Sequence, residues 1–420
     1  MKLGIDFGTT NSAVAVVDDQ GRARILELVE GQRTQRTVIH SDLEGNITFG
    51  NAAFDRYLAA DLRGRFLRSL KAFLPQDVPP TRIGRVTMSF VELVARFLTY
   101  LAEEAERVAG EPIDAVVVGR PVVFHADPDK DAYALAQLER AIAVSGLPRP
   151  VLQLEPVAAA LRYEATLTRD RTVLVGDFGG GTADFAVLQV GPGQQGRGLE
   201  RVLGTSGVAK AGNVLDGRFL DAFVLDHLGR GLMWTPRGKA PQAWNPGVHR
   251  HLAQLYDIHR LREPRLAAYL DDVEQRASDP VPVERLRRLV FDDLGYPMAD
   301  AVERTKRAYQ HEEVPTFRFD SYFSPRLDFD TPAPIGAFRE ASSAVLAAYE
   351  AAIDEVLLEA GLDEGGIDDV FLTGGTSQLP FIFGLFAARF GAERVQGGDA
   401  FTSVCEGLAV SRSRASTPGP

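Results

Sequence analysis

Ile5-Asp6-Phe7-Gly8-Thr9-Thr10-Asn11 and Gly176-Asp177-Phe178-Gly179-Gly180-Gly181-Thr182-Ala183-Asp184 are two copies of one phrase, a domain's length apart. Each is an apolar strand, an acid, a glycine loop with threonine, and a second apolar strand. Backbone N–H groups of a tight glycine turn converge into an anion nest, and side chains there would block a phosphate. Thr9, Thr10 and Thr182 add hydroxyl donors. Asp6 and Asp177 stand at the loop mouths, where two carboxylates would repel phosphate unless a cation intervened. Mg²⁺ held largely through water is the usual arrangement. A hairpin turn also favours Asp and Gly, but two matching copies are a much rarer coincidence than one.

The parallel extends outward. Residues 2–7 and 12–18 flank the first loop, with a turn at Asp18-Asp19-Gln20-Gly21 and a strand pattern over 22–29; residues 172–178 and 184–190 flank the second. Residues 89–108 read as an amphipathic helix, with a Ser89/Glu92 capping box and Gly110 at its C-terminal cap. A buried strand at 115–118 then ends in Gly119-Arg120-Pro121. The other half predicts one helix of about 25 residues over 335–360, capped by Gly361, followed by a strand at 369–373 and Gly374-Gly375. Each half is thus an α/β lobe whose strands feed ligand loops at their ends. Lobe I is expected over 1–165 with an Arg-rich insertion at about 40–85. Lobe II is expected over 166–410 with an insertion at about 217–300, including a helical patch at 283–294. Residues 411–420 read as a disordered tail.

Bulk properties narrow the function. A chain of 420 residues exceeds one ordinary core, so two lobes are the default. A net charge of −11 argues against a non-specific nucleic-acid binder. One cysteine, Cys405, forbids an intrachain disulfide and suits a reducing compartment. No signal-peptide pattern opens the chain, and no apolar run reaches the ~18 residues of a membrane span, so a cytoplasmic protein without a membrane partner is expected.

Further motifs carry a resemblance. Gln153-Leu154-Glu155-Pro156-Val157-Ala158-Ala159-Ala160-Leu161 matches a Glu-Pro-x-Ala-Ala-Ala connecting segment, and Thr373-Gly374-Gly375-Thr376 through Pro380 matches an adenosine motif. With the two glycine loops as phosphate-1 and phosphate-2 motifs, the chain resembles the nucleotide-binding domain of the heat shock protein 70 chaperones, within the actin, sugar kinase and heat-shock ATPase superfamily. Val118–Val122, Ala211–Asp216 and Gly397-Gly398-Asp399 resemble the short YegD-type members.

The resemblance implies an actin-like ATPase fold: two duplicated, ribonuclease H-like α/β lobes around a central nucleotide cleft, with inserted subdomains. It implies ATP or ADP as ligand with Mg²⁺, and K⁺ as a further cation. Asp6, Glu155 and Asp177 would surround Mg²⁺ and the attacking water. Gly8, Thr9, Thr10, Asn11, Gly179, Gly180, Gly181, Thr182 and Asp184 would line the phosphates. Lys71 takes the place of the catalytic lysine, where its charge would stabilise phosphate oxygens or orient water, alongside Glu155, Asp177 and Thr182 as catalytic residues. Pro121 corresponds to the switch proline at the lobe junction. Gly212, Glu303, Lys306, Arg307, Gly374, Gly375, Thr376 and Gln378 would meet the nucleoside. Glu303, Lys306 and Arg307 share one helix face, and a guanidinium can stack on adenine.

There are departures. An adenine-stacking arginine falls at Gln378, the glycine pair before the ribose contact is Ala211-Gly212, and a serine or threonine becomes Gln310. After Ala409 the reading expects no peptide-binding domain, so the output would lie in an unidentified protein partner. A weak Mg²⁺-dependent ATPase is the leading expectation. A nucleotide sensor that barely hydrolyses, a small-molecule kinase and an actin-like filament are the alternatives. His249, His251 and His259 are expected on a polar helical surface, without a metal; Trp234 and Trp244 are expected in a core.

Overall fold

The structure is a computed structural model that describes residues 1–18, 20–29, 31–60, 62–194, 198–244, 247–252, 258, 261–292, 294–320, 327–397 and 402–411. Asp19, His259, the Gly398-Asp399 pair and the expected tail from 412 lie outside the described residues. The chain divides into two compact units: one holds 1–212, 348–378 and 382 onward, the other 213–347 and 379–381.

The first unit contains one topology built twice. In the N-terminal half, β1 (Lys2–Asp6), β2 (Asn11–Val17) and β3 (Ala23–Ile25) form an antiparallel meander. Helix α1 (Phe90–Ala109) leads to β4 (Ala115–Arg120), α2 (Pro128–Ser145) leads to β5 (Pro150–Leu154), and α3 (Glu155–Glu164) follows at once. Strands β4 and β5 add in parallel beside β1, giving the order β5-β4-β1-β2-β3. In the other half, β6 (Arg171–Phe178), β7 (Ala183–Val190) and β8 (Val202–Val208) form the meander. Helix α4 (Ser343–Ala360), β9 (Asp369–Thr373), α5 (Pro380–Phe390), β10 (Val395–Gly397) and α6 (Ser403–Val410) complete it. The order β8-β7-β6-β9-β10 has the same parallel and antiparallel neighbours. This is the duplicated, mixed α/β architecture of the actin-like ATPase fold.

Alternation along the strands decides what covers each face. Leu3, Ile5, Val116 and Val118 turn to one side and join Phe97, Leu98 and Leu101 of α1 and Leu138 and Ile142 of α2 in a common core. Ala13, Ala15 and Ile25 face the other side, against Cys405 and Ala409 of α6. Helix α3 lies on the second sheet, its alanines and Tyr163 packing on Val173, Val175, Ala186, Leu188 and Phe371. The helix that follows each sheet in the chain therefore covers the sheet of the other half. A Cβ on Gly4 would stand 2.5 Å from Ala409 N, and one on Gly407 only 1.7 Å from Ala158 O, so both contacts need glycine. Arg162 of α3 and Glu406 of α6 close the joint with an ion pair at 2.6 Å.

The local signals read from the sequence meet varied outcomes. The Ser89/Glu92 capping box forms, and Gly110 adopts φ +72°. The single helix expected over 335–360 is instead two, Ile335–Ala341 and α4, parted at Ser342. Ser342 has ψ near 1°, and its N–H bonds the carbonyls of both Phe338 and Arg339, so the helical ladder lapses for one residue. The strand pattern over 22–29 pairs only over Ala23–Ile25; beyond it Leu28 N bonds Gln32 O in a local turn.

The insertion near 40–85 is an antiparallel sheet of Ile47–Phe49, Val38–Ser41 and Arg65–Arg68, with helix Gly50–Ala59 and the hairpin of Thr81–Ile83 and Val86–Met88. The second unit carries the other insertion, with helices Pro264–Glu274, Val281–Phe291 and Gly295–Ala308. Trp234 and Trp244 are buried there, as expected. His249 is not the surface residue its polar neighbours suggest: it is buried, its Nε2 bonded to Leu228 O and its ring edge-on to Trp244.

Candidate functional site

Strand Arg65–Arg68 and the turn after it deliver Lys71. Ser69 takes the left-handed conformation, φ +55°, an uncommon state for a residue with a side chain. That turn starts a short 3₁₀ helix, Leu70–Phe73, which Leu70 and the following Leu74 anchor in the first core. Lys71, between the anchors, is 7% exposed and donates from Nζ to Glu155 Oε1 at 2.6 Å. Glu155 is the first residue of α3, with Pro156 behind it in the first turn, where a missing N–H costs nothing and a carboxylate meets the positive end of the helix. A Cβ on Gly119 would come within 3.3 Å of Glu155 Oε1, so the end of β4 leaves room for that carboxylate.

Three more acids converge here. Burial and then the charge of Glu155 push Asp6 up to about 7, against the pull of Lys71. Burial, followed by Glu155, Asp6 and Asp184, holds Asp177 well above the usual carboxylate range. Burial and Glu155 push Asp184 up to about 7, opposed by hydrogen bonds including those from Thr182 and Val123. Burial alone would lower Lys71, but Glu155 and Asp6 outweigh it and raise the lysine above its ordinary value. Four acids thus share one ammonium group, and such a cluster favours either protons or a cation.

The glycine loops flank this cluster. Thr37, which the sequence reading did not single out, holds the first: its N–H donates to Thr10 O at 2.9 Å and its Oγ1 to Gly8 O at 2.8 Å. In the second loop Gly179 N bonds Thr182 O, while Gly212 N and Thr376 Oγ1 both donate to Gly179 O, at 3.2 and 3.3 Å. Gly374 has φ +85°, and a Cβ there would fall 2.3 Å from Phe178 O, which lets the turn after β9 close over the second loop. The loops face one another: a Cβ on Gly181 would stand 3.1 Å from Thr9 Oγ1. The expected residues Asp6, Gly8 to Asn11, Lys71, Glu155, Asp177, Gly179 to Thr182, Asp184, Gly212 and Gly374 to Thr376 all belong to this unit. Exposed Gln378 is its last residue before the chain passes to the second unit.

Glu303, Lys306 and Arg307 lie in the second unit, on helix Gly295–Ala308. Arg307 pairs with Glu303 one turn back, and Lys306 reaches Asp216 Oδ1 at 2.5 Å.

The donor chemistry suits a hard divalent cation. The cluster offers carboxylate oxygens with an excess of negative charge in a low-dielectric setting. Among the described residues no three His, Cys, Asp or Glu side chains stand where they could together hold a metal ion. A cation here would draw its remaining ligands from phosphate oxygens and water.

A family model described as "Hsp70 protein" matches residues 77–233. "Chaperone protein dnaK3" of Thermosynechococcus vestitus is 26% identical over 97% of this chain and 54% of its own length. "Chaperone protein dnaK" of Cyanophora paradoxa is 27% identical over 90% of this chain and 55% of its own. "Chaperone protein DnaK 1" of a Synechococcus species is 32% identical over 52% of this chain and 31% of its own. The chain spans about half the length of the first two of these relatives. No described helix is long and apolar enough to cross a membrane.

Proposed function

The chain belongs to the heat shock protein 70 family through its nucleotide-binding domain, and from that premise we propose that it binds ATP with Mg²⁺ and hydrolyses it slowly to ADP and phosphate. One observation carries the reading: two facing glycine loops follow aspartates that, with Glu155 and Asp184, feel one another's charge and that of a buried lysine, all in one compact unit. The loops supply N–H and hydroxyl donors for phosphate oxygens from Gly8 to Asn11 and from Gly179 to Thr182. Asp6, Asp177 and Glu155 would meet a Mg²⁺ mainly through its bound water, and that ion would supply charge neutralisation for the phosphates. Lys71 contributes a fixed positive charge for the oxygens that gain charge during transfer, and Glu155 keeps that ammonium group in place. Thr182 and Asp184 complete the second loop. Gly212, Gly374 to Thr376 and Gln378 would serve the nucleoside, and for Glu303, Lys306 and Arg307 the same role is carried over from the family resemblance alone.

On this reading the protein is chaperone-related and cytoplasmic, and its nucleotide state is read by a protein partner. Calorimetric titration with ATP, ADP and GTP in Mg²⁺ tests the binding, with ATP and ADP expected to saturate one site. Failure of all three to bind refutes the reading. Single-turnover measurement then tests hydrolysis: saturable binding with no turnover above buffer would leave a nucleotide-dependent binding module instead of an enzyme.

A further inference from the structure

Thr373 ends β9 in register with Asp177 of β6, its parallel neighbour. Registered residues of parallel strands turn to the same face, and alternate residues of one strand share a face. Two positions earlier in each strand, Phe371 and Val175 belong to the apolar cluster under α3, and Phe371 stacks on Tyr163 of that helix with ring centroids 5.0 Å apart. Thr373 and Asp177 continue that face, covered by the helix that begins with Glu155. Thr373 is 1% exposed, and its Oγ1 has no hydrogen-bond partner among the described residues. A buried hydroxyl without a partner is costly, and the carboxyl end of a parallel strand is where open α/β sheets meet their ligands.

The first half shows what the equivalent position holds. Continuing the β1–β4 register past Ile5 and Val118 sets Gly119 beside Asp6. There the Glu155 carboxylate takes up the space, within 3.3 Å of where a Cβ would sit. The second half has a threonine hydroxyl in the matching place.

We propose that Thr373 is a ligand-binding residue of this site, its hydroxyl donating a hydrogen bond to an oxygen of Mg²⁺-bound nucleotide, on the phosphate or on a water held with it, beside Asp177. The inference rests on the nucleotide reading above.

The test compares Thr373→Val, Thr373→Ala and Thr373→Ser with wild type by calorimetric titration of Mg²⁺ with ADP and with ATP, and by thermal melting without nucleotide. Loss of one hydrogen bond corresponds to about a fivefold to tenfold weaker Kd for the Val and Ala variants, with the Ser variant within about twofold of wild type. Without nucleotide the nearly isosteric Val variant melts at or above the wild-type temperature, because it removes an unpaired polar group; a purely structural threonine would show the reverse. Val and Ala variants that bind both nucleotides as tightly as wild type overturn the proposal while leaving the nucleotide reading intact. Wild-type protein that binds neither nucleotide refutes both.

Discussion

The two halves of the first unit share a strand order and differ at their tips. Each presents an aspartate at the end of its first strand and a glycine loop behind it. The N-terminal copy adds Glu155 over Gly119 and borrows Lys71 from its insertion. The C-terminal copy places Thr373 where the first has Gly119, and braces its loop with Gly212 and Thr376. The scaffold repeats because sheet and helix packing is generic. On the proposed reading the tips diverge because one ligand would need different groups on its two sides: a cation with its acid partner on one, a close-fitting cradle on the other.

The largest effect is expected where the halves join. Gly407→Ala puts a methyl into Ala158 O, and relief requires parting α3 from α6. A loss of more than about 3 kcal/mol, or failure to fold, is expected by chemical denaturation; wild-type stability would mean that the crossed helices do not bind the halves together.

Next comes the asymmetry of charge. Lys71→Met removes the ammonium group placed among the four acids, and single-turnover hydrolysis is expected to fall about 100-fold. Equal rates in variant and wild type would remove Lys71 from the proposed chemistry.

The third test concerns the acids shared by both tips. Asp6 and Asp184 are each pushed up to about 7 in the folded protein, far above the value of a free aspartate. An acid that holds its proton more tightly when folded favours the native state fully below its unfolded pKa, and that contribution is lost as pH rises through the folded pKa. Nucleotide-free protein should therefore lose stability from these groups between about pH 4 and pH 7, with each such acid contributing up to about 1.4 kcal/mol per pH unit. Denaturation across that range should give a shallower slope for Asp184→Asn, by close to one proton, and added Mg²⁺ should reduce the wild-type loss at the upper end. Parallel curves for variant and wild type would contradict the assignment to Asp184.

The smallest effect lies at the rim of the joint. Arg162 is 43% exposed, so Arg162→Ala should cost only about 0.5 kcal/mol despite its short contact with Glu406. A loss as large as that of Gly407→Ala would move the weight of the joint from packing to charge.

Much of this is legible in the chain itself. The repeated loops, the Ser89/Glu92 cap and the strand ends at Asp6, Asp177 and Thr373 are local patterns, set by φ/ψ preference, capping and alternation within a few residues. Lys71 was legible only through its resemblance to a family position, since nothing adjacent separates a buried lysine from a solvated one. Thr37 and the unpaired hydroxyl of Thr373 have no mark in the local sequence because their surroundings come from residues distant in the chain, and the left-handed turn at Ser69 has no glycine to announce it. His249 was misread because polar neighbours along the chain do not reveal a tryptophan packed across it, and the break at Ser342 has no proline or glycine to announce it.

The sequence by itself determined that this protein is a duplicated α/β chain with two acidic glycine loops, because periodicity and turn chemistry are written in neighbouring residues. Only the tertiary structure decided that the helix after each sheet covers the other half, that one lysine answers four acids, and that the threonine beside Asp177 has no hydrogen-bond partner among the described residues. Those outcomes depend on burial and on contacts between segments hundreds of residues apart, where desolvation and packing act on the folded surface and leave no local mark in the chain.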